Sequence, residues 1–309
     1  MRLLRKTRCK LVYRSEYFAA LHAQGTYSSF DVMKFKKIRD QLIKDRLIRR
    51  TDVLSPPRIS EEDLLLVHTK EYLDSLKNPI EVGKILNLNY VNPWDEYILE
   101  YFRYMAGGTL LATEYALEHH LTVFNLGGGY HHAHPNKAEG FCLINDIAIA
   151  IRKMQKLHKI KKTLIIDLDY HQGNGNVLYF KKDESTYTFS IHADNWVEVP
   201  EKKSNLDIEL PAHTKDEVYL KVLGSELPKV YSTFEPDLVI YLAGSDPYIE
   251  DTLGDFDLSE AGMLERDKFV YLEVVRRKIP LVVLGAGGYG PQSWKVYYNF
   301  IKWVIKKGR

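Results

Sequence analysis

Asp169, His171 and Asp246 are the residues whose types and spacing first indicate chemistry in this 309-residue chain. Asp169 and His171 are separated by one residue, and in an extended segment that spacing puts both side chains on one face. A carboxylate oxygen and an imidazole nitrogen suit a borderline divalent ion, and Asp246 could supply a third ligand. Three protein ligands leave one coordination position open, as a catalytic zinc site requires. Taken alone, an Asp-x-His pair is as readily explained by a strand-end loop with a capping aspartate as by a metal site.

Two adjacent histidines, His131 and His132, follow three glycines that permit tight turns and close approach to a ligand. A neutral imidazole could accept a proton from an attacking water and return it to a leaving amine. Asp167 ends an apolar strand and could hydrogen-bond to His131, whereas Asn174 could hold His132 as a neutral partner. We therefore expect His132 to be the main general base and His131 to be protonated more often. The alternatives are two surface loop histidines, or one histidine that joins the metal ligands.

Tyr289 is the remaining candidate, because it follows Gly287 and Gly288 on a flexible loop. Its phenol could donate a hydrogen bond to an oxyanion opposite the metal. The chain has 21 tyrosines, so packing is the ordinary role for any one of them. Its position after a glycine-rich strand end favours the functional role.

The elements that must position these residues are strands that alternate with helices. Apolar, β-branched runs occupy residues 121–126, 163–168, 187–192, 237–243 and 280–284, and amphipathic stretches occupy residues 145–157, 215–230 and 259–277. Nearly all-apolar strands separated by helices predict a parallel sheet covered on both faces, and hence an α/β fold. The candidate residues follow four of these strands. All four segments would emerge at the carboxyl edge of the sheet, where α/β sheets bind ligands.

Three helices are predicted before the first of these strands. One begins at Asp31 as N-cap, with apolar residues at helical spacing: Val32, Phe35, Ile38, Leu42 and Ile43. A second begins at Ser60, which is followed by three acidic residues and an apolar run. The third covers residues 94–118.

The composition predicts a soluble intracellular protein of one domain. The 43 basic and 41 acidic residues nearly cancel, so no overall field favours nucleic acid or an anionic membrane, and we interpret the basic ends as solvated chain. Two cysteines, Cys9 and Cys142, form no disulfide framework, which indicates a reducing compartment. No apolar run approaches the roughly 20 residues that span a bilayer, and no secretory signal is evident. We expect a cytoplasmic location, or a nuclear one in a eukaryote.

Six strings in these segments together resemble the histone deacetylase superfamily. They are NLGGGYHHA (125–133), GFCLIND (140–146), DLDYHQGNG (167–175), SIH (190–192), AGSDPYIEDTLG (243–254) and GAGGYG (285–290). Their order and spacing agree across about residues 10–305. Residues 61–76 and 253–270 look most like the class IV branch and its bacterial relatives.

The resemblance implies the arginase/deacetylase fold, a single three-layer α/β/α domain over residues 1–309 with a mainly parallel, eight-stranded sheet. It implies zinc or ferrous iron held by Asp169, His171 and Asp246. The histidine pair would be His131 and His132 with partners Asp167 and Asn174, and the carbonyl-polarising residue would be Tyr289. An acyl-lysine tunnel would be lined by Gly129, Gly140, Phe141, Gly287 and Gly288. A structural potassium ion would be bound by Asp167, Asp169, His171, Ser190 and Ile191.

The activity implied by the resemblance is metal-dependent removal of acyl groups from lysine side chains of proteins, without direct nucleic-acid binding. Relatives often place a phenylalanine after the SIH string, but here Ala193 and Asp194 follow it. That weakened tunnel wall, with the class IV likeness, gives the hypothesis that long acyl chains are preferred over acetyl.

Three other functions are weighed against lysine deacylation. Deacylation of small amines such as acetylpolyamines is disfavoured because no long inserted loop is evident. A non-catalytic acyl-lysine-binding protein is disfavoured by the complete catalytic set. A nucleotide site is disfavoured because no GxGxxG or GxxxxGK[ST] string follows a strand.

Overall fold

The computed structural model describes residues 9–17, 31, 33–86, 97–196 and 204–308. Within them, eight strands form one sheet: β1 (Cys9–Val12), β2 (Val53–Leu54), β3 (Thr122–Asn125), β4 (Thr163–Asp167), β5 (Thr186–Ala193), β6 (Leu206–Leu210), β7 (Leu238–Leu242) and β8 (Leu281–Leu284). Their order across the sheet is β2-β1-β3-β8-β7-β4-β5-β6. Every strand pairing is parallel, which confirms the predicted α/β fold and its eight-stranded sheet.

Helices cover both faces of this sheet. In chain order they are α1 (Met33–Lys44), α2 (Glu61–Leu64), α3 (Lys70–Ser75), α4 (Pro79–Ile85), α5 (Tyr97–His119), α6 (Asp146–Lys156), α7 (Asn174–Phe180), α8 (Asp216–Thr233), α9 (Glu260–Val275) and α10 (Ser293–Lys307). Apolar residues of α5, α6 and α7 form a core with one face. Residues of α1, α8, α9 and α10 form a core with the other face. None of the helices in the described residues is long and apolar enough to cross a membrane.

Alternate residues of the central strands point into these two cores. In β7, Val239 and Tyr241 pack with α8, α9 and α10, whereas Ile240 packs with α5 and α6. All five residues of β7 are buried. A strand buried on both faces has to be apolar throughout, and this is why the central strands appear in the sequence as unbroken apolar runs.

Each predicted strand and helix corresponds to an observed one, but several observed elements were not predicted. The Asp31 carboxylate accepts a hydrogen bond from the Met33 N–H at 2.9 Å, and the Ser60 hydroxyl accepts one from the Asp63 N–H at 3.1 Å. Val32 and the start of the third predicted helix lie outside the described residues. The sequence interpretation missed the strands β1, β2 and β6 and the helices α3, α4, α7 and α10.

The four strands that precede the candidate residues are neighbours in the sheet. Asp167 of β4 lies opposite Leu242 of β7, Leu242 lies opposite Leu284 of β8, and Leu284 lies opposite Asn125 of β3. Because the strands are parallel and in this register, the four following segments begin at the same level of the carboxyl edge. The predicted convergence of these segments is therefore confirmed.

A fully buried arginine, Arg266 of α9, connects two of these strand ends. Its Nη1 donates hydrogen bonds to the carbonyls of Leu168, at 3.1 Å, and Gly244, at 2.8 Å. Its Nε donates to Asp267 Oδ1 at 2.9 Å. Leu168 directly precedes Asp169, so one guanidinium holds together the chain segments after β4 and β7.

A buried histidine, His68, joins the turn before α3 to the segment that follows the histidine pair. Its Nδ1 donates to the carbonyl of His134 at 3.0 Å, and its Nε2 accepts from the N–H of Asn145 at 3.0 Å. Burial lowers the pKa of His68 to about 4. The ring is therefore neutral, and both nitrogens have main-chain partners.

Arg266→Met should lower the free energy of unfolding by about 3–5 kcal/mol, because it leaves Asp267 buried without its cationic partner. Chemical denaturation measures the loss. The matched control is Arg276→Met just beyond the same helix, where the side chain is 59% exposed and pairs with Glu273. That loss should stay below about 1 kcal/mol. Equal losses in the two variants would contradict the role assigned to Arg266.

His68 should make the fold acid-sensitive, because its folded pKa of about 4 lies below the ordinary value of 6.5. The unfolded chain takes up a proton as the pH falls below 6.5, and the folded ring resists it, so stability decreases on acidification. Between pH 7 and pH 5 this contribution is about 2 kcal/mol. His68→Asn should reduce the loss by that amount, measured from urea unfolding at both pH values. A stability difference between wild type and variant that is the same at both pH values would contradict this.

Candidate active site

Asp169, His171 and Asp246 form a buried cluster at the carboxyl edge of the sheet. One oxygen or nitrogen from each of them lies within 4.8 Å of the others. His171 Nδ1 is 3.1 Å from Asp169 Oδ1 and 3.0 Å from Asp246 Oδ2. Two of the side chains follow β4 and the third follows its neighbour β7. The sequence-predicted ligands are thus brought together.

This cluster fits a divalent cation. Imidazole and carboxylate are donors that Zn²⁺ binds, and two carboxylates balance the charge of the ion. Burial and the charge of Asp169 raise the pKa of Asp246 to about 7, and a cation between the two groups would relieve that repulsion. Main-chain groups hold both carboxylates: Gly287 N–H donates to Asp169 at 2.8 Å and Tyr170 N–H donates to Asp246 at 3.0 Å.

The loop after β8 passes directly over the two carboxylates. A Cβ on Gly287 would lie 2.3 Å from Asp246 Oδ2 and 2.6 Å from Asp169 Oδ2, so only glycine fits there. Buried Lys34 of α1 holds the same loop, because its Nζ donates to the carbonyls of residues 286–288 at 3.1 to 3.3 Å. Burial lowers the pKa of Lys34 to about 8. The sequence interpretation did not find this lysine, whose partners are main-chain atoms far along the chain.

The two histidines lie side by side, with ring centroids 4.0 Å apart, and differ in their partners. His131 Nδ1 is 2.8 Å from Asp167 Oδ2, and His132 Nδ1 is 2.8 Å from Asn174 Oδ1, so both predicted partners are in contact. Burial opposes charge on His131, but Asp167 and Asp169 outweigh it and raise the pKa to about 9. Burial, and after it the charge of His131, lowers the pKa of His132 well below its usual value. The surroundings of His131 therefore favour its charged form, and those of His132 favour its neutral form.

Four of the five residues predicted for the tunnel line a pocket together with both histidines and Tyr289. The pocket contains about 660 Å³ of empty space, part of it open to solvent, and the four are Gly129, Gly140, Phe141 and Gly287. Gly288, the fifth, is not among the lining residues, and a Cβ there would lie 1.9 Å from the Ser245 hydroxyl oxygen.

The pocket is also lined by large, mostly apolar side chains that the sequence interpretation did not identify as site residues. They are Phe35, Leu86, Tyr101, Phe102 and Tyr130. Four of these come from α1, from the end of α4 and from α5. Local spacing shows that such residues are apolar but does not show that their helices meet beside the histidine loop.

Phe141 is presented to the pocket by a strained turn of residues 139–142. The N–H of Cys142 donates to the Glu139 carbonyl at 2.8 Å, and Gly140 and Phe141 have φ of 52° and 62°. Two successive left-handed residues are typical of a type I′ turn, which a phenylalanine adopts at a cost of about 1 kcal/mol or more. A Cβ on Gly140 would lie 2.3 Å from His132 Cδ2, so glycine is required there.

Tyr289 faces this turn at the end of the glycine loop. Its ring centroid is 6.2 Å from that of Phe141 and 6.1 Å from that of His171. Its N–H donates to Asp251 Oδ2 at 2.7 Å, which anchors the main chain. Burial raises the pKa of the Tyr289 phenol well above 10, so the hydroxyl keeps its proton and can donate it in a hydrogen bond.

The residues predicted for a potassium ion lie around the ends of β4 and β5. Asp167 pairs with Ser190 in the sheet, and the Asp169 N–H donates to Asp167 Oδ1 at 3.2 Å. Ile191 follows Ser190 in β5. In the part of the chain that the structure describes, the one side-chain cluster suited to a metal is that of Asp169, His171 and Asp246. A potassium site built on main-chain oxygens stays a prediction.

Asp146 is a further site residue that the sequence interpretation missed. The fully buried carboxylate accepts hydrogen bonds from Tyr130 N–H at 2.8 Å, Gly129 N–H at 3.0 Å and the Thr109 hydroxyl at 2.5 Å. It therefore fixes the loop that leads to the histidine pair. Asp146 ends the string at residues 140–146 and starts an amphipathic helix, but neither feature indicates that it binds the distant histidine loop.

Known proteins are similar to this chain over almost its whole length. The Histone deacetylase domain profile matches residues 28–301. An uncharacterized protein of Picosynechococcus sp. is 31% identical over 94% of this chain and 95% of that protein. Histone deacetylase 2 of Arabidopsis thaliana is 30% identical over 98% and 80% of the two chains, and acetoin utilization protein AcuC of Staphylococcus aureus is 26% identical over 90% and 78%. With this match and a parallel sheet that bears a buried Asp-His-Asp cluster, the chain belongs to the histone deacetylase family.

Proposed function

We propose that this protein is a metal-dependent hydrolase that removes acyl groups from lysine side chains of proteins. The observation that carries the proposal is that the Asp169–His171–Asp246 cluster, the histidine pair and Tyr289 meet at one pocket. Amide hydrolysis needs a group that takes a proton from water, donors that stabilise the oxyanion, and an acid for the leaving amine. Membership of a deacetylase family supports the same reaction.

Asp169, His171 and Asp246 would hold the metal ion, which, when bound as Zn²⁺ or Fe²⁺, would polarise the acyl carbonyl and acidify a water molecule. His132 acts as the general base, because its ring is neutral and its Nδ1 is engaged by Asn174, which leaves Nε2 to accept a proton. A protonated histidine of the pair then donates a proton to the lysine amine.

Tyr289 and the pocket walls position the substrate. The protonated phenol donates to the oxyanion that forms on the acyl oxygen. The Phe141 ring faces Tyr289 and packs against the unbranched stem of the acyl-lysine, while Gly129 lets the main chain come close to it. Glycines and one aromatic ring leave room for a slender side chain.

The apolar part of the pocket lining supports the finer hypothesis of a long acyl chain. Each CH₂ group buried against Phe35, Leu86 or Phe102 would contribute about 0.8 kcal/mol, whereas an acetyl group leaves that space unfilled. This hypothesis also rests on the tunnel wall after His192, where Ala193 and Asp194 stand in place of the phenylalanine that relatives often have. Residues 197–203, which continue that wall, lie outside the described residues.

Tyr289→Phe should lower kcat by about two to three orders of magnitude, because one oxyanion donor is lost, and should change KM little. Steady-state kinetics on an acyl-lysine peptide measure both constants. Tyr115→Phe on α5 is the matched control, since that hydroxyl lies away from the pocket lining. A near-normal kcat in Tyr289→Phe would refute the role of the phenol.

Hydrolysis of lysine peptides with graded acyl length, and of free acetylpolyamines, tests the function and its substrate. The protein is assayed after metal depletion and again after addition of Zn²⁺ or Fe²⁺. We expect no turnover without metal, recovery with it, and kcat/KM that rises with acyl length on peptides. Asp246→Asn should stay inactive after metal addition, because one ligand is weakened.

Each other outcome of this assay points to a different function. An optimum at acetyl would contradict the long-chain hypothesis. Faster hydrolysis of acetylpolyamines than of any peptide would replace lysine deacylation by small-amine deacylation. Peptide binding without hydrolysis by the metal-restored protein would indicate a non-catalytic acyl-lysine-binding protein.

A further inference from the structure

A carboxylate that the proposed mechanism does not use lies next to the partner of His132. Glu139 Oε1 accepts a hydrogen bond from Asn174 Nδ2 at 2.9 Å. Its other oxygen, Oε2, is 2.9 Å from His134 Nε2 and 2.7 Å from Lys137 Nζ. The Glu139 side chain is 19% exposed, and Asn174 is buried. Both oxygens of the carboxylate are therefore held in place.

The contacts of Asn174 determine which way its amide points. A carboxylate only accepts hydrogen bonds, so the end of the amide beside Glu139 has to be the NH₂ group. The oxygen at the other end accepts from the Gly175 N–H at 2.9 Å and faces His132 Nδ1 at 2.8 Å. In the reversed orientation, the NH₂ group of Asn174 would face the Gly175 N–H, and the amide oxygen would face the Glu139 carboxylate.

The orientation of this amide in turn determines where His132 carries its proton. An amide oxygen cannot donate, so Nδ1 of His132 has to be the protonated nitrogen. Nε2 then has the free electron pair that a general base needs. The charge of Glu139 is separated from the ring by a neutral amide, in contrast to Asp167, which contacts His131 directly.

The turn of residues 139–142 couples this contact to the pocket wall. Glu139 begins the turn, Gly140 packs on the His132 ring, and Phe141 lines the pocket. If Glu139 only supports the turn, its removal should move Phe141 and so weaken substrate binding. If Glu139 acts through Asn174, its removal should slow proton transfer. The two roles therefore affect different kinetic constants.

We propose that Glu139 is a positioning residue for proton transfer, which keeps His132, through Asn174, in the tautomer whose Nε2 accepts the proton. The effect of Glu139 on catalysis rests on the proposed function, in which His132 is the general base. The effect of Glu139 on the tautomer of His132 is independent of the proposed function.

Variants at position 139 that keep or remove an acceptor test the proposal. In Glu139→Gln the amide oxygen can still accept the hydrogen bond from Asn174 Nδ2, whereas in Glu139→Ala no acceptor is left there. Both variants keep the neutral amide of Asn174 as the partner of His132. Glu139→Ala should therefore lower kcat, and Glu139→Gln should retain it.

We expect Glu139→Ala to lower kcat by about 10- to 100-fold, with KM within about twofold of wild type, and Glu139→Gln to keep kcat within about threefold of wild type. Glu226→Ala, which removes a carboxylate paired with Lys229 on α8, is the control and should leave kcat unchanged. A rise in KM as the main effect, or equal losses of kcat in Glu139→Ala and Glu139→Gln, would overturn the proposal.

The tautomer is measured without substrate by the imidazole ¹⁵N chemical shifts of His132 in histidine-labelled, metal-restored protein. Wild type and Glu139→Gln should show a protonated Nδ1, and Glu139→Ala a mixture of tautomers. An unchanged tautomer in Glu139→Ala would also overturn the proposal. If no acyl substrate is hydrolysed by wild type, the proposed function fails, but these shifts still decide the role of Glu139.

Discussion

Two buried carboxylates, Asp169 and Asp246, are held side by side although they repel each other. The parallel pairing of β4 with β7 brings their strand ends together, and the Arg266 guanidinium bonds to a carbonyl at each end. The Gly287 N–H approaches Asp169 from the loop after β8. The sheet, a buried arginine and a glycine loop therefore all contribute to the same constraint.

The charges of the histidine pair depend on the same group of buried carboxylates. Asp167 and the two cluster carboxylates carry three negative charges, which a divalent ion and the His131 imidazolium would neutralise. His132 is left without a charged partner in contact with its ring and is neutral. Two adjacent residues of the same type thus have opposite protonation states, because one meets a carboxylate and the other meets an amide.

The sequence was sufficient to predict the central sheet and the cluster, and the physical reason is the parallel topology. Strands buried on both faces are apolar runs, and their ends share one edge, so Asp246 could be assigned beside Asp169 from far along the chain. Asp146, Lys34 and Arg266 could not be predicted, because their partners are mostly main-chain groups of distant segments. The short strand β6 alternates polar with apolar residues at the sheet edge and lacks the apolar run of the central strands.

The position of β8 has a consequence for how the chain assembles. This strand follows every other strand of the described sheet in sequence, yet it lies between β3 and β7. Until β8 is in place, strands β1 to β3 share no described pairing with strands β4 to β7. During synthesis, the two halves of the sheet therefore cannot join until β8, at residues 281–284, has been made, and such non-local pairing slows folding. The loop that carries Tyr289 follows β8 directly, so the pocket closes only as the sheet does.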